Sequence, residues 1–558
     1  MSPFRVLPIL GLALLFPVPT SAQTPEIQAQ LDAQLHALRT ATPFILPGPA
    51  AAVANEEATI NALVVRIDRR VDDFWAKNKI KPSDPTTDAE FLRRLSLDLV
   101  GRIPTVHEVR LFVANSNPKK REKKVAELLS KAGFLNHFST VLRQQWVPQT
   151  LDNPQFQFVG TQFETWLRGQ LRDNAGMDKM VRDILTAPTL FGRGRQGGPP
   201  IETANTAFVF NQVNEFKPEN VAANASRLFM GIKMECAQCH DHPFAAISRE
   251  QFWETAAFFA ELQPTIANSG DAKLTREIKI QDVDPKKQKL VQAKFFDETE
   301  PQWKDSVSPR EVFVDWLVSP ANKYFAKNGV QRMWAHFFGI GFIDPIDEPG
   351  LENPELIPEL VKELAKAYAD SKFDNRFMIK AITRTKAYQL SSRQTDKSQE
   401  NPRHFARMNV KAMTAEQLFD SIAQATGYSE PNVNPQQRQF AQGPRREFLT
   451  KFASTEKVTE RQTSILQALT LMNGKFVNDQ THLDRSQFLA ALADAPFMDA
   501  NGKIEAMFMA SLSRQPTPIE VERFGSYVLR GGANNDQKKG LADVFWALLN
   551  SSEFILNH

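Results

Sequence analysis

The chain has 558 residues, with 67 Lys and Arg against 64 Asp and Glu and a formal net charge of +3, which lacks the basic excess of a nucleic-acid footprint. Two cysteines in a chain of this length exclude a disulfide framework, so stability must come from buried apolar area. With 41 Phe and 8 Trp against 5 Tyr, the expected core is aromatic and chemically inert.

Residues 1–22 read as a secretory signal: Arg5, an apolar run from Val6 to Phe16, then Thr20-Ser21-Ala22 before Gln23. The run is shorter than the roughly 20 residues a spanning helix needs and contains Pro8. The expectation is export to the periplasm or cell surface, with no transmembrane segment in the mature chain. Residues 23–60 form an N-terminal extension, and 61–262 a first helix-rich domain. Thr87 with Glu90 stands at capping-box spacing ahead of Phe91, Leu92, Leu95 and Leu99, and Gly101 followed by Pro104 ends that helix. Thr105 with Glu108 repeats the signal before Val109, Phe112 and Val113. The run Lys119–Lys124 reads as a solvated helix face, and Gly192–Pro200 as a loop.

Residues 263–306 mix Pro, Lys, Asp and Gln around a short strand at Ile278-Lys279-Ile280 and serve as a linker. A second helix-rich domain fills 307–558, with a Pro/Gln/Asn-rich surface excursion at 429–447. Its helix starts are Thr414 with Gln417, and Thr517-Pro518-Ile519-Glu520. The predicted fold class is mainly α: two helix-rich domains joined by a less regular linker, with no repeat of solenoid period.

Both cysteines sit in Cys236-Ala237-Gln238-Cys239-His240, the C-x-x-C-H signature of covalent haem c attachment. Two thiols three residues apart on a helix reach the two vinyl groups along one edge of the macrocycle, and the next histidine points at the iron. The spacing of Ala225, Leu228, Phe229, Ile232, Cys236 and Cys239 predicts one apolar helix face that Pro243 terminates. Cys236, Cys239 and His240 are thus the candidate cofactor-binding residues, with His240 ligating haem iron. Met230, Met234, Met177, Met180, Met333 and His336 are options for the opposite side of the ring, none singled out, and Arg193 or Arg195 for its propionates. The same segment also reads as a zinc site of Cys236, Cys239, His240 and His242, as a redox dithiol lacking the usual strand before it, or as two inert thiols in a core helix. Downstream, Asp344, Asp347 and Glu348 cluster near Arg332 and His336 in sequence; they read as acid–base or cation-binding groups, or as a plain acidic loop.

Three stretches carry a family resemblance: Phe91–Thr105 (FLRRLSLDLVGRIPT), Ser226–Ile232 (SRLFMGI) and Glu235–Phe244 (ECAQCHDHPF). They resemble the planctomycete cytochrome-c-like domain. Arg332–Gly339 (RMWAHFFG) with Asp344-Pro345, Thr414–Leu418 (TAEQL), Leu469–Gly474 (LTLMNG) and Phe545–Phe554 resemble the planctomycete domain of unknown function usually fused behind it. The resemblance spans nearly all of the mature chain. It implies an exported, helix-rich, two-domain protein with a haem site in the first domain. The chain departs from relatives at Gln331, where Asn is common, and lacks their frequent extra N-terminal cytochrome module.

The expected function is electron transfer by an exported haem c protein with a redox partner protein. An alternative is a zinc-type extracellular enzyme, such as a hydrolase of polymers, with a small-molecule or polysaccharide substrate. A third reading is a non-catalytic surface scaffold.

Overall fold

The computed structural model describes residues 50–152, 154–188, 206–243, 245–262, 275–281, 288–348, 353–430, 443–452 and 474–558. The signal-like residues 1–22, the Gly-rich loop at 192–200, residues 469–473 and most of the excursion at 429–447 lie outside them. Contacts divide the chain into Met1–Thr59 and Ile60–His558. Of the former, only the start of the first helix is among the described residues.

The described residues are mainly α. Helix α1 (Ala50–Lys77) buries Ile60, Leu63, Ile67, Val71 and Trp75, a stripe at three- and four-residue spacing. Thr87 caps α2 (Asp88–Val100) by accepting from the Glu90 amide at 3.2 Å, and Gly101, at φ +77°, closes it. The Thr105/Glu108 capping box opens α3 (Val106–Ala114) as its sequence predicts. There follow α4 (Lys120–Ser130), α5 (Ala132–Trp146), α6 (Pro154–Arg172), α7 (Met177–Leu185), α8 (Pro218–Ala225) and α9 (Arg249–Ala257). The Lys119–Lys124 run is only partly solvated: Lys120 and Arg121 pair with Asp88, and Arg121 lies over the Phe91 ring, fastening α4 to α2.

Strands β1 (Glu277–Gln281) and β2 (Gln288–Gln292) form an antiparallel pair with Ile278 opposite Val291. Then come α10 (Pro309–Leu317), α11 (Phe325–Phe338), α12 (Pro358–Asp370) and α13 (Asn375–Arg384). Strand β3 (Lys411–Ala412) pairs with the terminal β4 (Leu556–Asn557), and between them lie α14 (Ala415–Thr426), α15 (Ala500–Leu512), α16 (Pro518–Leu529) and α17 (Gln537–Leu549). No helix of the described residues is long and apolar enough to cross a membrane.

Two apolar cores fill this unit. The first takes residues from Ile60 to Met408, joined by Met509, and runs through the 263–306 segment, where Phe295 stacks on Trp316 at 4.8 Å and on Phe258 at 5.1 Å. The second takes residues from Met413 to Phe554, joined by Leu97 and Ile103.

Helix α2 lies between them. Phe91, Leu92, Leu95 and Leu99 enter the first core and Leu97 the second, so every residue from Phe91 to Leu99 is buried. The polar residues this buries must be paired or hydrogen-bonded. Arg93 donates to the carbonyls of Ser511 (2.8 Å) and Phe554 (2.9 Å); Arg94 donates to those of Tyr388 (2.5 Å) and Leu390 (3.0 Å) and pairs with Glu90. Gln417 of α14 donates to the Leu97 carbonyl at 3.0 Å. The arginine pair in this helix therefore clasps backbone from the far end of the chain.

Candidate functional site

Helix α8 begins with Pro218 at its first turn, continues as a π-helical turn over Ser226–Met230 and stops at Gly231, in the left-handed region at φ +70°. Helix α11 enforces the stop. Asn328 Nδ2 donates to the Leu228 carbonyl at 2.6 Å, while Arg332 donates to the same carbonyl at 3.0 Å and to that of Arg227 at 2.6 Å. These are the acceptors that a continuing helix would use.

The apolar face predicted to run unbroken from Ala225 through Cys239 is therefore cut in two. Leu228, Phe229 and Ile232 are buried, whereas Cys236 and Cys239 are exposed and unbonded, Cys236 on a separate 3₁₀ turn (Glu235–Gln238) and Cys239 at its end. Pro243 plays no part in ending the helix.

The C-x-x-C-H turn is held in place from outside. The Trp253 indole of α9 donates to the Gln238 carbonyl at 3.0 Å, and the Arg249 amide to Asp241 Oδ1 at 2.8 Å. His240 is exposed, with Nδ1 2.7 Å from the Asp241 carbonyl. A carbonyl only accepts, so Nδ1 carries a proton and Nε2 is the nitrogen left to coordinate, the arrangement of a ligating histidine. Two accessible thiols beside an imidazole so oriented fit the attachment of a haem. Among the described residues no three His, Cys, Asp or Glu side chains are gathered to hold a metal ion, the set Cys236, Cys239, His240 and His242 included.

The acidic loop after α11 is docked on the segment leading to the cysteines. Asp347 accepts from Arg227 at 2.6 Å, Glu348 pairs with Lys233 at 2.5 Å, and the Lys233 amide donates to the Asp347 carbonyl at 2.9 Å. Burial alone would raise the Asp347 carboxyl, but the bond to Arg227 and the charge of Arg332 hold it below the usual carboxylate range.

Of the six side chains considered for the far side of a haem, Met180, Met230 and Met234 are packed in the first core. Met177, Met333 and His336 instead line a cavity open to solvent between α5, the π-helical turn and α11. Cys236, Cys239 and His240 do not line it.

Behind this cavity lies a polar network that sequence spacing does not announce. The buried Asp98 carboxylate accepts from Lys411 (2.7 Å), Asn557 (2.7 Å) and Tyr388 (2.8 Å). Lys411 also donates to the carbonyls of His336 and Phe337. His336 Nε2 lies 3.0 Å from the Asp98 carbonyl, and the His336 ring is 6.2 Å from that of the buried His137. Burial pushes His336 down, opposed by the charge of Asp98. Burial, with His336 and Lys411 adding, pushes His137 down to about 3.

Residues 66–264 match the family model described as PSCyt2, protein of unknown function (DUF1549), and residues 309–451 the one described as PSD1, protein of unknown function (DUF1553). No curated protein and no solved structure matches the chain. The cavity walls come from both matched segments, α5 and the π-helical turn from the first and α11 from the second.

Proposed function

We propose that this chain, a PSCyt2 domain followed by a PSD1 domain, is an exported electron-transfer protein that carries haem c on Cys236, Cys239 and His240. The observation that carries the reading is the exposed, unbonded thiol pair followed by an imidazole whose Nδ1 is tied to the Asp241 carbonyl. Thioether bonds from the two sulfurs would hold the macrocycle by one edge, and His240 Nε2 would face the iron. When bound, the group supplies one-electron chemistry at the iron. The protein supplies a rigid seat: the Trp253 indole and the Asp241 side chain fix the loop on either side of His240. The exposure of the turn suits a redox partner docking directly against a haem edge.

The test is expression of the full chain with its leader in a periplasm equipped for haem c maturation. A c-type pyridine haemochrome and a haem-staining band on a denaturing gel are expected, and Cys236→Ala or Cys239→Ala should reduce the stain while Cys236→Ala/Cys239→Ala abolishes it. Protein that matures and exports without covalent haem overturns the reading. Stoichiometric zinc in that material would favour the metal-enzyme alternative, and its absence a scaffold.

A further inference from the structure

The cavity between α5, the π-helical turn and α11 has walls of Phe138, Leu142, Trp146, Phe229 and Phe325 and a small polar complement that includes Arg332 and His336. A concave apolar site with a few convergent polar groups is the usual form of a small-molecule pocket. One wall is a π-helical turn, a conformation concentrated at functional sites.

Arg332 decides what chemistry the pocket accepts. It uses Nε and Nη2 on the Leu228 and Arg227 carbonyls, and Nη1 has no partner among the described residues. No carboxylate of the described residues stands within ion-pair distance; the nearest acidic influence, Asp347, is engaged by Arg227. Burial pushes the guanidinium down to about 10, with the charge of Asp347 opposing and that of Arg227 adding. One turn on, at i+4, His336 lines the same cavity. Its Nε2–H is committed to the Asp98 carbonyl, so Nδ1 offers a lone pair and the ring adds no second positive charge.

We propose that this cavity binds a small organic carboxylate with a compact apolar body: the carboxylate rests on Arg332 Nη1, the ring or short chain packs against Trp146, Phe229 and Phe325, and His336 Nδ1 accepts a hydrogen bond from a ligand hydroxyl or a bridging water. The site is separate from the C-x-x-C-H turn and stands whether or not haem is attached there.

The test uses the full chain, titrated with benzoate, phenylacetate, 3-phenylpropionate and hexanoate and with the matching neutral amides, followed by calorimetry and by the fluorescence of Trp146. At least one acid should bind 10-fold or more tighter than its amide. Arg332→Met should erase that preference, and Val141→Trp, which fills the cavity from a half-exposed wall position, should abolish binding of acid and amide alike. Phe497→Ser, on a side chain 85% exposed, should change neither. Equal affinity for acid and amide in the wild-type chain, no binding by any acid, or a preference that survives in folded Arg332→Met overturns the proposal. The wild-type comparison stands even if a variant fails to fold.

Discussion

His137 should make the protein lose stability on mild acidification, and the size of the loss follows from its surroundings. The side chain is 9% exposed, lies against Gly101, and its Nε2 is buried without a hydrogen-bond partner. Burial, then His336 and Lys411, push its folded-state value down to about 3, whereas an unfolded histidine titrates near 6.5. Between those values the unfolded chain holds a proton that the folded chain refuses. Stability therefore rises with pH in that window: it is fully present above about 6.5 and is lost progressively as pH falls toward 3. At pH 5 the unfolded ring is about 1.5 units below its own pKa, and at 1.36 kcal/mol per unit the loss is about 2 kcal/mol. That figure holds for any folded-state value well under 5. His137→Leu removes both the titration and the unsatisfied nitrogen at similar volume, so it should cost less than about 1.5 kcal/mol at pH 7.5. Urea unfolding followed by tryptophan fluorescence at pH 7.5, 6 and 5 measures both chains. The wild-type loss between pH 7.5 and 5 should exceed that of His137→Leu by about 2 kcal/mol. Parallel pH profiles would show that His137 is solvated or hydrogen-bonded in the folded protein, and would refute the reasoning.

The Asp98–Lys411 pair should behave as a unit: Asp98→Asn or Lys411→Met alone leaves a buried group uncompensated and costs about 3–5 kcal/mol, while Asp98→Asn/Lys411→Met should cost at least about 2 kcal/mol less than their sum in a double-mutant cycle read by urea unfolding. Gly231→Ala should lower stability by about 1–2 kcal/mol, because φ is +70° and the added carbon would lie 2.8 Å from Asn328 Oδ1; a thermal melt checks it. Gly101→Ala should cost more than Gly231→Ala in the same assay, since φ is +77° and its new carbon would lie 2.4 Å from the His137 ring.

Much of the fold was legible because it rests on local signals. Capping boxes at Thr105, Thr414 and Thr517, the side-chain cap at Thr87 and the left-handed stop at Gly101 stand where the residue types and spacings place them. The strand at 278–280 is there too, in a hairpin whose partner the sequence left unmarked. What local pattern could not show is burial imposed from far along the chain. Helix α2 displays one apolar face in its sequence, yet both faces are covered, and the acceptors for Arg93 lie 418 and 461 residues away. Lys411 and Asp98 are 313 residues apart, so neither announces the other. A signal was present nonetheless: Arg-Arg and Asp within an otherwise apolar helix demand partners once buried.

The C-x-x-C-H segment shows the same limit more sharply. Periodicity extended the helix through the cysteines because it counts side chains and is blind to who satisfies the backbone. Asn328 and Arg332 take the carbonyls of Leu228 and Arg227, Gly231 turns the chain, and the thiols emerge on the surface instead of over an apolar bed. The residues that cap this helix also line the cavity, and Leu228 and Phe229 belong to both. Removing the Arg332 side chain thus does two things at once: it deletes the cavity's cation, and just ahead of Cys236 it frees the Arg227 carbonyl and leaves that of Leu228 to Asn328 alone. A loss of binding in that variant would not by itself separate charge recognition from a displaced turn. The comparison of an acid with its own amide in the unaltered chain does, because the two ligands differ at the carboxylate while the hydrogen bonds that shape the turn start out the same.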